Sequence, residues 1–417
     1  MNTRHERILI VGNGLAAISA AERLRETGFT GELVMIGDEP HGPYNRTPLS
    51  KGLLTGSRSI KDLPLRTYTP LDARWMSGAA AAALDITRRT VTLDTGADIG
   101  FDKLVIATGV RARHLPGAPM HSPHVWALRT LADARAIDRA MTGAVRIAII
   151  GGGFIGCEIA STARERGLAV TLIDRSPTLL HRELGNVLGA VVGDLHRRAG
   201  VRLHLGVGVA GWTETGTGAR LQLDDGETVT ADAAVVGVGT EPSTGWLHGS
   251  GLDTTNGVLC DESCTVLDID GRPVEGIVAA GDVARWPNHR FDATPRRVEH
   301  WINAIEMGRA AADTLAAGPG TATPYTPVPR FWSHQHGVRI QSAGMPSLGT
   351  AMTILEGSVP KNRFLAGFTN GGPDGRLVGA VAFDAPRALL QHHDKIGSSP
   401  GKAPNRGSPQ KTEKIVR

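Results

Sequence analysis

Apolar and polar positions follow two regimes along this chain, and one arrangement of them occurs twice. Arg7-Ile-Leu-Ile-Val11 is a short, nearly continuous apolar run, the pattern of a strand covered on both faces. A glycine turn, Gly12-Asn-Gly14-Leu-Ala-Ala17, follows, and then a helical stretch to about Thr27. A second strand, Glu32-Leu-Val-Met-Ile36, ends at Gly37 and Asp38. The same order recurs: Val145–Ile150, Gly151-Gly-Gly153-Phe-Ile-Gly156, a helix to about Arg166, and Ala169–Ile173 ending at Asp174. A unit found twice is an internal duplication, not a solenoid.

Leu104–Gly109 and Ala233–Gly239 each read as a strand running into glycine, at similar offsets after the two units. Gly276–Asp282 is a third such strand, and His300 to about Leu315 predicts a long helix. The Pro-rich stretch Pro324–Pro329 predicts a linker. Beyond it, alternating runs at Val338–Ala343, Met352–Leu355, Arg363–Phe368 and Leu377–Phe383, with a helical patch near Pro386–His393, predict a small α+β domain. From Gly397 onward the chain is rich in Gly, Ser, Pro and Lys, which predicts a disordered tail.

Length and charge narrow the choices. At about 100–200 residues per domain, 417 residues make two or three domains. The formal net charge of +4 suggests a polyanionic partner until it is located. Lys402, Arg406, Lys411, Lys414 and Arg417 against Glu413 account for all of it, so residues 1–396 are formally neutral and nucleic-acid binding is not expected. The polar start, Met1 to Arg7, is unlike a signal peptide, and no apolar run approaches the roughly 18 residues a membrane span needs. Three cysteines cannot form a disulfide framework, so a reducing cytoplasm is expected. Cys157, Cys260 and Cys264 read as packing residues and His392-His393-Asp394 as a helix end; neither set has metal-site spacing, and no metal is expected.

The glycine loops carry the chemistry. In such a loop the first glycine makes the turn and the second lets backbone approach a pyrophosphate. The helix that follows then aims its positive end at the anion. Both copies here follow an apolar strand, and each has an acidic residue, Asp38 or Asp174, where a ribose hydroxyl is expected. Two such sites in one chain imply electron transfer between two dinucleotides.

Further motifs say which dinucleotide binds where. Pro43-Tyr-Asn-Arg-Thr-Pro-Leu-Ser-Lys51, Ala107-Thr-Gly109, Ala280-Gly-Asp282, Arg297-Val-Glu-His-Trp-Ile-Asn-Ala304 and Pro-Val-Pro-Arg-Phe-Trp-Ser333 occur in that order. Together they resemble the putidaredoxin-reductase-like, FAD-dependent NAD(P)H:ferredoxin reductases that serve cytochrome P450 and dioxygenase systems. The resemblance implies an α/β fold with two Rossmann-like dinucleotide-binding domains, as in glutathione-reductase-like flavoproteins, plus a small α+β C-terminal domain. The implied division is 1–113 with 243–323 for FAD, 114–242 for NAD(P)H, 324–396 for the reductase-type domain, and 397–417 for the tail.

By the same resemblance Gly12, Gly14 and Ala16 meet the FAD pyrophosphate and Asp38 its adenosine ribose. Arg46, Lys51 and Arg129 are further FAD contacts, Asp282 bonds a ribityl hydroxyl, and Trp301 starts the helix aimed at the flavin. Trp332 walls the flavin from the third domain. Gly151, Gly153 and Gly156 carry the NAD(P)H pyrophosphate. Asp174 favours NADH, because a carboxylate accepts ribose hydroxyls and repels a 2′-phosphate; Arg175, His181 and Arg182 nearby leave NADPH open. Glu158 matches a carboxylate that pairs with the Lys51 position beside the nicotinamide.

Asp38 to Lys51 contains no cysteine, so the thiol relay of related disulfide reductases is not expected. The implied partner is a ferredoxin-type iron–sulfur protein docked near Arg66 and Arg309, with Arg330 a looser candidate. Four positions depart from the pattern: Asn45, Thr47, His334 in place of a carboxylate, and His336 in place of an aromatic. They keep open a stand-alone FAD enzyme acting on a quinone, nitro compound or oxygen, and an apoptosis-inducing-factor-like binding flavoprotein.

Overall fold

The computed structural model describes residues 6–318, 320–371 and 375–398. The two apolar runs become inner strands of a mostly parallel sheet and a wholly parallel one, where both faces of a strand are covered. In the first unit β1 (Arg7–Val11), α1 (Leu15–Glu26), β2 (Glu32–Gly37) and β3 (Lys103–Ile106) place Val11 opposite both Ile36 and Ile106. In the second, β4 (Arg146–Ile150), α2 (Phe154–Glu165), β5 (Ala169–Asp174), α3 (His181–Arg198) and β6 (Ala233–Val236) place Ile150 opposite both Ile173 and Val236.

The duplication extends to single atoms. Gly12 N donates to Ile36 O at 2.7 Å, and Gly151 N to Ile173 O at 2.8 Å. Their φ angles are +117° and +112°, and a Cβ on either would lie 2.2 Å from the carbonyl oxygen of Ala107 or Gly237. Glycine is therefore required twice over at each turn, by conformation and by space.

The chain crosses between the two sheets twice, and the crossings pair: Val110–Ala112 runs antiparallel to Thr240–Pro242. It then returns to the first sheet as β7 (Pro273–Ala279), beside β3. The long helix α4 (Trp301–Ala317) packs on α1, with Gly308 against the Ala16 carbonyl. The C-terminal part is a five-stranded antiparallel sheet in the order β8 (Arg330–Gln335), Val338–Gly344, Arg376–Phe383, Arg363–Asn370, Ala351–Ser358. The helix Pro386–His392 packs against it.

Three expectations change. The stretch Pro324–Pro329 is strapped down and is no free linker: Tyr325 N donates to Glu262 O, Trp286 Nε1 to Tyr325 O and Asn288 Nδ2 to Pro327 O. β8 is not among the predicted runs, because its inward positions Ser333 and Gln335 are polar. The fold also continues past the expected boundary: Gly397 N donates to Leu377 O, and the Gly397 carbonyl accepts from Arg376. Residues 399–417, nearly all of the expected tail, lie outside the described residues. All three cysteines are buried, as packing residues should be, and burial pushes their thiols up. Among the described residues no helix is long and apolar enough to cross a membrane.

Two tests follow from this geometry. Gly151→Ala should cost about 2–4 kcal/mol through combined strain and overlap, read as a lowered denaturant midpoint. His196 and His300 are the subject of the second. Burial pushes both down to about 4, against about 6.5 when unfolded. The unfolded chain therefore takes up protons first, so stability held above about pH 6.5 should fall progressively towards pH 4. A melting temperature unchanged between pH 7 and pH 5 would contradict that burial.

Candidate functional site

A cleft of about 890 Å³ opens where the carboxyl ends of β1, β3 and β7 meet the first turns of α2 and α4 and the strand β8. Gly14 caps α1 without a side-chain hydrogen bond and with no acid in the first turn, so the helix's positive end faces the cleft uncompensated. Gly153 caps α2 in the same way. Gly12, Gly14 and Ala16 all line the cleft. The motif spacing, however, puts Ala17 and not Ala16 at the position equivalent to Gly156. Ala17 is wholly buried against the sheet, the place of the third residue in such a loop.

Asp38 is exposed at the rim. Arg46 is held rigidly: Nη2 meets Glu39 at 2.5 Å, Nη1 donates to the Tyr44 hydroxyl at 2.8 Å, and that hydroxyl donates to Glu39 at 2.6 Å. Burial pushes the Tyr44 phenol up to about 12, so it stays a donor. Across the cleft Arg129 pairs with Asp282 at 3.1 Å. Burial raises the Asp282 carboxyl while the Arg129 guanidinium opposes the shift. Trp301 and Trp332 meet edge to face at 5.7 Å.

Glu158 sits at the junction. Its side chain is 7% exposed. Oε2 accepts from Lys51 Nζ at 2.8 Å and Ser50 Oγ at 2.6 Å, and Oε1 accepts from Ser333 Oγ at 2.6 Å. The Lys51–Glu158 pair expected from sequence is thus formed, and it is buried where a helix-surface glutamate would be solvated. Ser50 and Ser333 escaped the sequence reading, although each is the immediate neighbour of a residue it singled out. Glu39, Tyr44 and His300 escaped it as well.

Gly151, Gly153, Gly156 and Asp174 come together but do not line the cleft; of residues 146–236 only Phe154, Ile155 and Glu158 reach it. A Cβ on Gly156 would overlap the Gly151 carbonyl, and Asp174 accepts from the backbone N–H groups of Gly152 and Ser176. Arg175 is exposed and lies against Gly208. Of the docking candidates, Arg66 is exposed, Arg309 is paired with Glu26 at 2.6 Å, and Arg330 with Glu306 at 2.7 Å.

The cleft fits a flavin dinucleotide on its own chemistry. Trp301 Nε1 and His300 Nδ1 are buried donors or acceptors without a protein partner, and both residues line the cleft. The glycine turn leaves open backbone beneath an uncapped helix end, where a pyrophosphate is stabilised. The volume is of the size found for large cofactor sites.

Comparison with known proteins agrees. Residues 6–308 match the model of the pyridine nucleotide-disulphide oxidoreductases, and residues 330–402 match a reductase C-terminal domain. The chlorobenzene dioxygenase ferredoxin reductase component of Cupriavidus sp. (strain PS12) is 38% identical over 91% of this chain and 90% of that protein. The ferredoxin–NAD(+) reductase subunit of a benzene 1,2-dioxygenase system from Pseudomonas putida is 35% identical over 91% and 90%. Among solved structures, the reductase of a covalent putidaredoxin reductase–putidaredoxin complex superposes with a TM-score of 0.85 at 30% identity, covering 93% of this chain and 92% of that one. Fold, cleft and sequence agree that this chain belongs to the pyridine nucleotide-disulphide oxidoreductase family, with FAD and NAD(P)H as its dinucleotides and a reductase-type C-terminal domain.

Proposed function

We propose that the chain is an FAD-dependent NADH:ferredoxin oxidoreductase, drawing electrons from NADH and delivering them singly to an iron–sulfur protein that feeds an oxygenase. The observation that carries this reading is the Lys51–Glu158 pair, its glutamate buried, lining one cleft with Trp301 and Trp332. Relatives at 38% and 35% identity are ferredoxin reductase components of dioxygenase systems. The proposed division follows the paired crossings: 1–113 with 243–323 for FAD, 114–242 for NADH, and a reductase-type domain from 324.

When bound, the flavin supplies the exchange between two-electron and one-electron donors and acceptors. The chain's own residues bind and orient. Gly12 and Gly14 leave backbone open to the pyrophosphate, with Asp38 at the adenosine end and Arg46 and Arg129 as fixed cations. Asp282, in the cleft lining, supports a bond to a ribityl hydroxyl, and the positive end of α4, opened by Trp301, faces the cleft. Lys51 and Glu158 neutralise each other, so the pair orients the nicotinamide as a fixed dipole without exchanging a proton.

On the second loop Asp174 is held by two backbone donors, a rigid acceptor for ribose hydroxyls and a repulsive neighbour for a 2′-phosphate. This favours NADH. Arg66 and Arg309 offer the basic docking points for an acidic ferredoxin, with Arg309 exchanging Glu26 for the partner.

Two measurements test the reading. NADH-driven cytochrome c reduction should require added ferredoxin; fast turnover of a quinone or nitro compound without it would favour the small-acceptor enzyme. Asp174→Ala should raise the Michaelis constant for NADH about tenfold or more, as expected for loss of a charged hydrogen-bond acceptor. An unchanged constant would remove Asp174 as the ribose ligand.

A further inference from the structure

Contacts to Glu158 continue beyond Ser333. Gln335 Nε2 donates to Ser333 Oγ at 3.0 Å. Gln335 Oε1 lies 3.0 Å from His196 Nε2, and His196 Nδ1 lies 3.1 Å from His336 Nε2. His196 comes from α3 and the other three side chains from β8 and the turn after it. Ser333, Gln335 and His196 are fully buried, and His336 is half-buried at the outer end. Neither histidine nor Gln335 lines the cleft.

The proton positions in this file are interlocked. An ionised carboxylate only accepts, so Ser333 gives its hydroxyl proton to Glu158. Ser333 Oγ then accepts from the Gln335 amide nitrogen, which turns Gln335 Oε1 towards His196. His196 must donate from Nε2. A neutral imidazole has one N–H, so Nδ1 accepts and His336 donates from its Nε2. Burial keeps His196 neutral by pushing it down to about 4. Every link therefore points inward. The reversed file, with each donor exchanged for an acceptor, fits only when the Glu158 position itself offers a proton to Ser333.

We propose that His336, His196 and Gln335 are positioning residues: they fix the direction of the Ser333 hydroxyl and so hold Glu158 as an acceptor-only carboxylate facing Lys51. Other groups bear on the file at its two ends. Lys51 and His334 face Glu158, and the Cys157 thiol beside it is kept neutral by burial. At the outer end burial, and then the Arg164 guanidinium, push the His336 imidazole below its ordinary value. The catalytic consequence rests on the placing of Lys51 and Glu158 described under the proposed function; the direction of the file does not.

The file is tested on the FAD-loaded protein carrying ¹⁵N-histidine, whose long-range ¹⁵N–¹H spectra report the tautomer. His196 should be neutral with its proton on Nε2 from pH 6 to pH 8. Glu158→Gln should reverse the file: Lys51 and Ser50 retain the new amide's oxygen, its nitrogen donates to Ser333, and His196 moves its proton to Nδ1. The same His196 tautomer in both proteins overturns the proposal. A second arm compares His336→Leu, which cannot donate, with His336→Gln, which can. The ¹⁵N shift of His196 Nδ1 should move towards that of an unbonded imidazole nitrogen in the leucine variant and return in the glutamine variant. Coincident His196 spectra in all three proteins also overturn it. If the leucine variant does not take up FAD, the tautomer comparison alone decides. Neither arm uses ferredoxin, so failure of the electron-acceptor reading is scored separately.

Discussion

A carboxylate removed from water is tolerable only if its oxygens are fully engaged, and Glu158 imposes that condition on this structure. Three parts of the chain meet there: Ser50 and Lys51 from the first unit, Glu158 itself from α2 of the second, and Ser333 from the C-terminal sheet. A shift of any of the three parts stretches a contact to that buried charge. The neighbouring contacts reinforce the same junction from the face of α2. Thr162 donates to the Ser50 carbonyl, Arg166 to the Leu54 carbonyl, and Ser161 accepts from the His336 backbone. The cleft inherits its shape from this junction, because Phe154, Ile155 and Phe331 stand beside it.

A second constraint is the repeated glycine turn. In both units the turn touches the carbonyl that ends the third strand, so the loop cannot move without the strand. Each loop leaves a helix end uncapped, which is unfavourable in isolation and favourable beneath an anion. The fold thus keeps two positive ends available while the body of the chain is formally neutral, its basic excess lying at 397–417.

The legible parts of the sequence were those in which one local pattern has one structural solution. Apolar run, glycine turn and helix specify a parallel βαβ unit, and both units were readable with their acidic residues. Lys51 and Glu158 are legible only through the family resemblance of their motifs; no periodicity joins positions so far apart in sequence. The third motif position is Ala17, and the adjacent alanines at 16 and 17 hide this; Ala17 is wholly buried, while Ala16 lines the cleft. β8 was missed because alternation assumes apolar inward positions, and here Ser333 and Gln335 occupy them. His196 reads as one more polar residue on an amphipathic helix until its partners arrive from the C-terminal sheet. Pro324–Pro329 resembled a linker because hydrogen bonds to its carbonyls leave no trace in composition.

The paired crossings carry a consequence of another kind. Val110–Ala112 and Thr240–Pro242 lie side by side, so everything between them leaves and re-enters the first sheet through one narrow ribbon. A long insertion with adjacent ends adds little loop-closure entropy to its host, since that cost grows only with the logarithm of length. In evolutionary terms the backbone leaves the intervening stretch exchangeable at a single doorway, and side chains restrict the exchange. A replacement has to supply a glutamate for Lys51, donors for the Ser50 and Leu54 carbonyls, and an acceptor for the His336 backbone.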